Sequence, residues 1–223
     1  MLPGPTLPEL ARTALARAAD ATVRDAGRAD GLPAAGRVPV RARRDGSPLL
    51  LLASGSPLER ELAAGPESVM VSVPARLPLR ALRVTGTARL AARDPAVGIA
   101  TYSVTPQHVE FTGAGGGPVP LGDYQAAAPD PLWRLAPGVL SHLEHGHLAE
   151  LIGCVRAHGM SGADSVIARG LDRYGLELLV LTEDGAAAVR LSFPDGPVAS
   201  LDDVPASIRT LLTCRCQAGR RAP

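Results

Sequence analysis

The chain has 223 residues, of which 46% are hydrophobic, 20% charged and only 3% aromatic, with a formal net charge of +1. All 23 basic residues are arginine, and the sequence contains neither lysine nor asparagine. A lysine Schiff base and a Walker-type phosphate loop are therefore excluded, and so near-neutral a balance does not fit a nucleic-acid binder, which needs surplus cations to displace counterions. Two Phe, three Tyr and one Trp leave Leu, Val and Ala to build the core. An aromatic cage or a base-stacking platform has almost no material.

In chain order, residues 7–26 carry helix formers at helical spacing, with Leu10, Ala14, Leu15 and Ala18 on one side. About a hundred residues of strand signals follow. Residues 37–43 alternate, and Asp45-Gly46 supplies a hairpin turn into residues 48–52. Ser56 is placed to cap a short helix with Pro57 at its first position. Strands are expected over residues 69–73, 79–92 (bent near Gly86), 98–104, 109–112 and 119–121, with residues 113–117 as a hairpin tip. Six or more short strands with turn signals predict a small antiparallel barrel.

The Ala- and Pro-rich run at residues 126–131 reads as a linker. It divides residues 1–128, a helix plus barrel, from residues 129–223, an α+β unit. A helix is expected over residues 132–157, restarted near Pro137. Three strands follow at 165–171, 176–181 and 187–193, then an amphipathic helix at 201–213 with Asp202 and Asp203 in its first turn. Residues 217–223 read as a frayed tail. The N-terminal residues have no basic, then apolar, leader pattern, and the longest apolar run is residues 49–53. Both point to a cytoplasmic protein without a membrane partner. Cys154, Cys214 and Cys216 form no CxxC or CxxCH, so neither a zinc ribbon nor covalent haem attachment is encoded.

The densest chemical signal is His142-Leu143-Glu144-His145-Gly146-His147. Neutral imidazole is the commonest metal ligand. On one uninterrupted helix, however, His145 and His147 point to nearly opposite sides and His142 points away from His147. His147 would share the apolar stripe of Leu140, Leu143, Leu151 and Cys154. A lone inward histidine is more often a satisfied core residue than a ligand, but an axial haem ligand requires only one. Gly113 to Gly117 open no helix, so a dinucleotide site does not fit them. Ser54-Gly55-Ser56 could cradle an anion but is more simply an N-cap. Arg76, Arg80 and Arg83 could pair with carboxylates or solvate an outer face.

The C-terminal motifs resemble a known family. His142 to His147 is similar to the His-Met-Asn-x-Asp-His signature of the DUF2470 domain, with Glu144 in place of Asn and Gly146 in place of Asp. Gly170-Leu171-Asp172-Arg173-Tyr174-Gly175-Leu176 and Leu191-Ser192-Phe193-Pro194 resemble two further segments of that domain. Such domains follow a split β-barrel of the pyridoxamine-phosphate-oxidase, FMN-binding type, and residues 30–125 read as such a barrel. The resemblance implies an α+β protein whose flavin pattern is lost, since its lysine has no counterpart here, and which holds haem b near the interface of a homodimer. It also implies a small-molecule amino-acid substrate, because the layout resembles piperazate synthases. Those enzymes cyclise N5-hydroxyornithine to piperazic acid with N–N bond formation. HugZ-type haem oxygenases and non-catalytic haem-binding modules are the alternatives. The histidine in the C-terminal tail of HugZ-type proteins has no counterpart after His158. The expected iron ligands, in order, are His147, His108, His142 and His145, with Arg80 and Arg83 expected at propionates or substrate.

Overall fold

The computed structural model describes residues 4–26, 37–65, 68–75, 79–198 and 200–218, without the side chains of 201 and 213–218. Arg76, the side chains of Cys214 and Cys216, and the tail from residue 219 lie outside the described residues. The chain divides into two compact units, Thr6–Pro129 and Asp130–Pro223, the latter grouped with Met1–Pro5.

The first unit begins with α1 (Leu7–Arg17), capped by Thr6 in a box in which Thr6 N–H donates to Glu9 at 2.9 Å. The expected helix to residue 26 is too long. Ala18 is extended, and β1 (Asp20–Asp25) follows. Ala21 and Val23 are buried while Thr22 and Arg24 are exposed, a period of two that suits a barrel wall and not a helix face. β2 (Arg37–Ala42), β3 (Pro48–Ala53), α2 (Pro57–Ala63), β4 (Val69–Pro74) and β5 (Leu79–Asp94) come next. The two strands expected at 98–104 and 109–112 are one strand, β6 (Ile99–Gly113), because it continues through Pro106. The strand expected at 119–121 is instead a two-residue β7 (Gly117–Pro118) followed by α3 (Leu121–Ala126).

All pairings are antiparallel in the order β3-β2-β1-β4-β5-β6, and β3 pairs back onto β6, with Leu50 opposite Tyr102. This closes a six-stranded barrel, and the fold is α+β with a barrel of the split-barrel type. Closure leaves no strand of the ring with a free edge. Inward residues such as Val40, Leu50, Leu82, Val84 and Val104 are fully or almost fully buried, each side chain contributing about 2 kcal/mol of transfer energy.

The second unit contains α4 (Ala136–Gly146), α5 (Leu148–Ala157), β8 (Ser165–Asp172), β9 (Gly175–Thr182), β10 (Gly185–Ser192), a 3-10 turn at Leu201–Asp203 and α6 (Val204–Ala218). Of the helix expected over 132–157, the part after the restart near Pro137 is present as α4 from Ala136, and it breaks at His147. The expected tail is helical as far as Ala218. The sheet order is β10-β9-β8, and Leu176, Leu178 and Val180 join Leu143, Leu151 and Leu211 in one core. Cys154 is buried there, its Sγ 3.5 Å from the carbonyl of Leu212.

The LDRYG segment is a polar hairpin turn between β8 and β9. Asp172 accepts from the Tyr174 N–H at 2.9 Å and pairs with Arg190. Asp130 accepts from Arg173 N–H and Leu132 N–H, both at 2.8 Å. Arg173 lies over the Tyr174 ring at 4.8 Å. At Gly175 a Cβ would meet the Leu191 carbonyl oxygen at 2.1 Å, so only glycine fits. The motif that carries the family resemblance is thus accounted for by turn architecture.

Candidate functional site

The outer wall of the barrel places polar groups in two adjacent rows. One row runs Arg24 (β1), Met70 (β4), Thr85 (β5), His108 (β6). The next runs Thr22, Ser72, Arg83, Glu110 on the same four strands. At about 4.8 Å between strands, each row spans roughly 14 Å. Their neighbours along each strand, including Val23, Val71, Val84 and Val109, point inward and are buried.

His108 faces outward because of a β-bulge. Thr85 pairs with His108 but Gly86 pairs with Pro106, leaving Gln107 as an extra residue on β6. Up to Pro106 the even-numbered residues of β6 are buried; from Val109 the odd-numbered ones are. If β6 alternated without interruption through this sequence, His108 would point into the barrel; the bulge sets Gln107 and His108 both on the outer side. Gly86 permits the bulge, since a Cβ there would lie 1.9 Å from the Thr105 carbonyl oxygen. The expected bend at Gly86 is therefore a close approach of two backbones.

Arg83 is half-buried and donates to Glu110 at 3.4 Å. Arg80 is exposed and is the extra residue of a second bulge, between Leu79 and Ala81. Arg24 donates from Nε and Nη2 to the Met70 sulfur at 3.3 and 3.2 Å. Sequence reasoning missed Arg24 because its strand was read as helix.

The helical histidines sit differently from the expectation of one continuous helix. The break at His147, whose φ is −135° and ψ is 25°, folds its ring against His142. The two ring centroids are 5.1 Å apart and edge to face. His147 does not join the stripe of Leu140, Leu143, Leu151 and Cys154. Its side chain is 37% exposed and its Nδ1 lies 3.5 Å from Glu150. Glu150 is held below the ordinary glutamate range by its own backbone amide and by His147. His145 is exposed and its Nδ1 lies 2.7 Å from the Ser141 carbonyl. Glu144, the departure from the family signature, accepts from the Ala168 N–H at 3.1 Å and ties α4 to β8. Gly146, next to the break, was the available signal for it.

Two buried polar groups were also missed. Glu59, 4% exposed, accepts from Arg93 at 2.6 Å, Tyr102 Oη–H at 3.1 Å and Gly55 N–H at 3.2 Å. The Gly55 amide first, then the Tyr102 hydroxyl and Arg93, hold its carboxyl below the ordinary value. Burial raises the Tyr102 phenol, with Glu59 adding to the effect. Gly55 N–H therefore serves Glu59, in keeping with the N-cap reading of Ser56. Arg12, 4% exposed, donates to the carbonyls of Arg44 and Tyr124, and Tyr124 donates to Gly46 O at 2.7 Å. Burial pushes the Tyr124 phenol up to about 12. These groups brace α1, α2 and α3 within the barrel unit.

Among the described residues, no group of three or more His, Cys, Asp or Glu side chains could hold a metal ion. A site requiring one imidazole is a different matter. The barrel rows combine His108 with Arg83 and Arg24, one nitrogen donor and two cations, a donor set that fits an iron porphyrin with two propionates. The His142–His147 pair offers imidazoles, with Glu150 close to His147.

No family model matches this chain, and neither does any curated protein. Among the described residues, no helix is long and apolar enough to cross a membrane. A protein of unknown function from Agrobacterium tumefaciens is similar at 17% identity and a TM-score of 0.43, over 95% of this chain and 98% of that one. A heme binding protein from Mycobacterium smegmatis is similar at 26% identity and a TM-score of 0.64, over 97% of this chain and 100% of that one.

Proposed function

We propose that this chain binds haem b non-covalently on the outer face of its barrel, with His108 as the iron ligand and Arg83 among the propionate contacts. The observation that carries the reading is the bulge at Gln107. It turns an imidazole outward beside a row that holds an arginine. The likeness to the mycobacterial heme binding protein, which extends over both chains almost end to end, supports it. The barrel rows combine imidazole with cations, whereas the described partner of His147 outside the histidine pair is the carboxylate Glu150.

For the reaction, we propose the piperazate synthase reading, in a cytoplasmic homodimer: cyclisation of N5-hydroxyornithine in which the α-amine bonds to N5 as the N5–O bond breaks and the hydroxyl leaves as water. The resemblance of the sequence layout to those enzymes supports it. Bound haem would supply a Lewis acid for the hydroxylamine oxygen. The chain's own part is to hold the substrate. An arginine takes its carboxylate in bidentate fashion, and the hydroxyls of Ser72 and Thr85 lie in the same rows. Fixing both ends of a flexible amino acid favours the approach of its α-amine to the distal nitrogen.

The test is a hemin titration followed by the Soret band, on the wild-type protein, His108→Ala and His147→Ala. The expected outcome is that His108→Ala shifts or loses the band and His147→Ala leaves it intact. The reverse pattern moves the iron to the helix break, and no band in the wild type ends the haem reading. Loaded protein given N5-hydroxyornithine should form piperazic acid. Bleaching with ascorbate in its place would identify haem degradation.

A further inference from the structure

We propose that Arg24 is a carboxylate-binding residue of the outer barrel face, held by the Met70 sulfur until a ligand's carboxylate displaces it. The inference rests on the reading of this face as the ligand face, and it concerns a residue that neither the sequence motifs nor the resemblance pointed to. The guanidinium presents its Nε–Nη2 edge to Met70, at 3.3 and 3.2 Å. That edge carries two parallel N–H groups and is one with which arginine grips a carboxylate. Arg37 shows this in the same barrel, reaching Asp20 Oδ1 from Nε at 2.9 Å and from Nη2 at 2.8 Å. Arg93 also takes a carboxylate, that of Glu59, through a single Nη2 bond.

At Arg24 the same fork meets a thioether, a weak and uncharged acceptor. The charge is left without a carboxylate among the described residues. Asp25, its neighbour, follows on the opposite side of the strand and has an interaction of its own. Met70 has three rotatable bonds and can move aside at little cost. Arg24 is exposed, so a ligand can reach it. It begins the row that ends at His108, so an anion bound there would belong to a molecule lying across Met70 and Thr85. The carboxylate could come from a porphyrin propionate or from an amino acid, and the two sources are separable.

The experiment titrates wild type, Arg24→Ala, Arg24→Lys and Met70→Glu with protoporphyrin IX and with its dimethyl ester. A second titration of each apo-protein uses L-ornithine, followed by the NMR signal of the Arg24 Nε–H or, in the variants, by calorimetry. Protoporphyrin carries no iron, so binding does not depend on a histidine ligand. For a propionate, wild type prefers the diacid to the ester. Arg24→Ala then binds the diacid about tenfold more weakly, with the ester unchanged, and Arg24→Lys recovers part of the loss. Met70→Glu, which supplies an internal carboxylate on an outward position, should match Arg24→Ala in a folded protein. For an amino acid, the porphyrin affinities stay equal and L-ornithine binds wild type but not Arg24→Ala. Both patterns uphold the proposal. If Arg24→Ala matches wild type for every probe, Arg24 takes no carboxylate and the proposal is overturned. If wild type binds no protoporphyrin, the macrocycle is held through the iron–imidazole bond or not at all, which the hemin titration decides separately, and the ornithine titration alone decides for or against Arg24.

Discussion

The two units solve the same problem in opposite ways. The barrel closes its sheet on itself, so every strand of the ring is paired on both sides and its inner residues form the core. The three-stranded sheet stays open, and its core also draws on α4, α5 and α6. The barrel therefore has a stretch of outer wall, the two rows on β1, β4, β5 and β6, whose side chains are not part of that core, whereas the open sheet gives one face to its helices. Polar residues of the second unit, such as Asp130, Asp172 and Arg173, are occupied with holding a turn. In the rows on the barrel wall, Arg83 pairs with Glu110 and Arg24 with the Met70 sulfur, each on a neighbouring strand of the same surface.

The largest expected effect tests the turn side of this contrast. Asp172→Ala removes the buried partner of Arg190 and of the Tyr174 amide. We expect a loss of about 3 kcal/mol, read by denaturant unfolding, with hydrogen exchange rising at β8 and β9. A loss below roughly 0.5 kcal/mol would mean that the turn is not what holds this unit.

Next comes Gly86→Ala, which drives a Cβ into the Thr105 carbonyl. The expected cost is about 1–3 kcal/mol, together with changed NMR shifts at Gln107 and His108. Unchanged shifts at those two residues would sever the link between Gly86 and the outward histidine.

A smaller effect concerns acid. Glu59 has a folded-state pKa below its unfolded one, so its contribution is complete above the unfolded value and is lost as pH falls through the folded value. Glu59→Gln should therefore be less stable than wild type at about pH 7, and the gap should narrow at about pH 3. A gap that does not change with pH would show that the Gly55, Tyr102 and Arg93 bonds do not favour the charged form.

Much of the barrel was legible because a half-buried strand writes its period of two into the sequence: β2, β3, β4 and most of β5 could be read directly. β1 could not. Asp-Ala-Thr-Val-Arg-Asp follows an alanine-rich helix whose composition it shares, and only pairing with β2 and β4 makes it a strand. That error hid Arg24. The continuity of β6 was obscured by Pro106, which sits at the bulge where an irregular ladder tolerates it. The histidine cluster was visible as composition, but its geometry was not, since a uniform helix rotates His142 away from His147 and a single break at His147 brings them together. The buried Glu59 and Arg12 gave little local signal: apart from the Gly55 amide, their partners Arg93, Tyr102, Arg44 and Tyr124 are 32 to 112 residues distant.

The bulge at Gln107 also bears on how such a protein could change over evolutionary time. Substitution exchanges one side chain for another at a fixed address. A one-residue insertion or deletion within a strand reverses which side of the wall the downstream residues face, and ordinarily that ruins the core. Here the irregularity ends at Val109, where the inward pattern resumes on the opposite parity, so the cost of a change in length has already been absorbed. The same wall can thus gain or lose an outward imidazole by altering the count of residues in β6, without inventing a new loop.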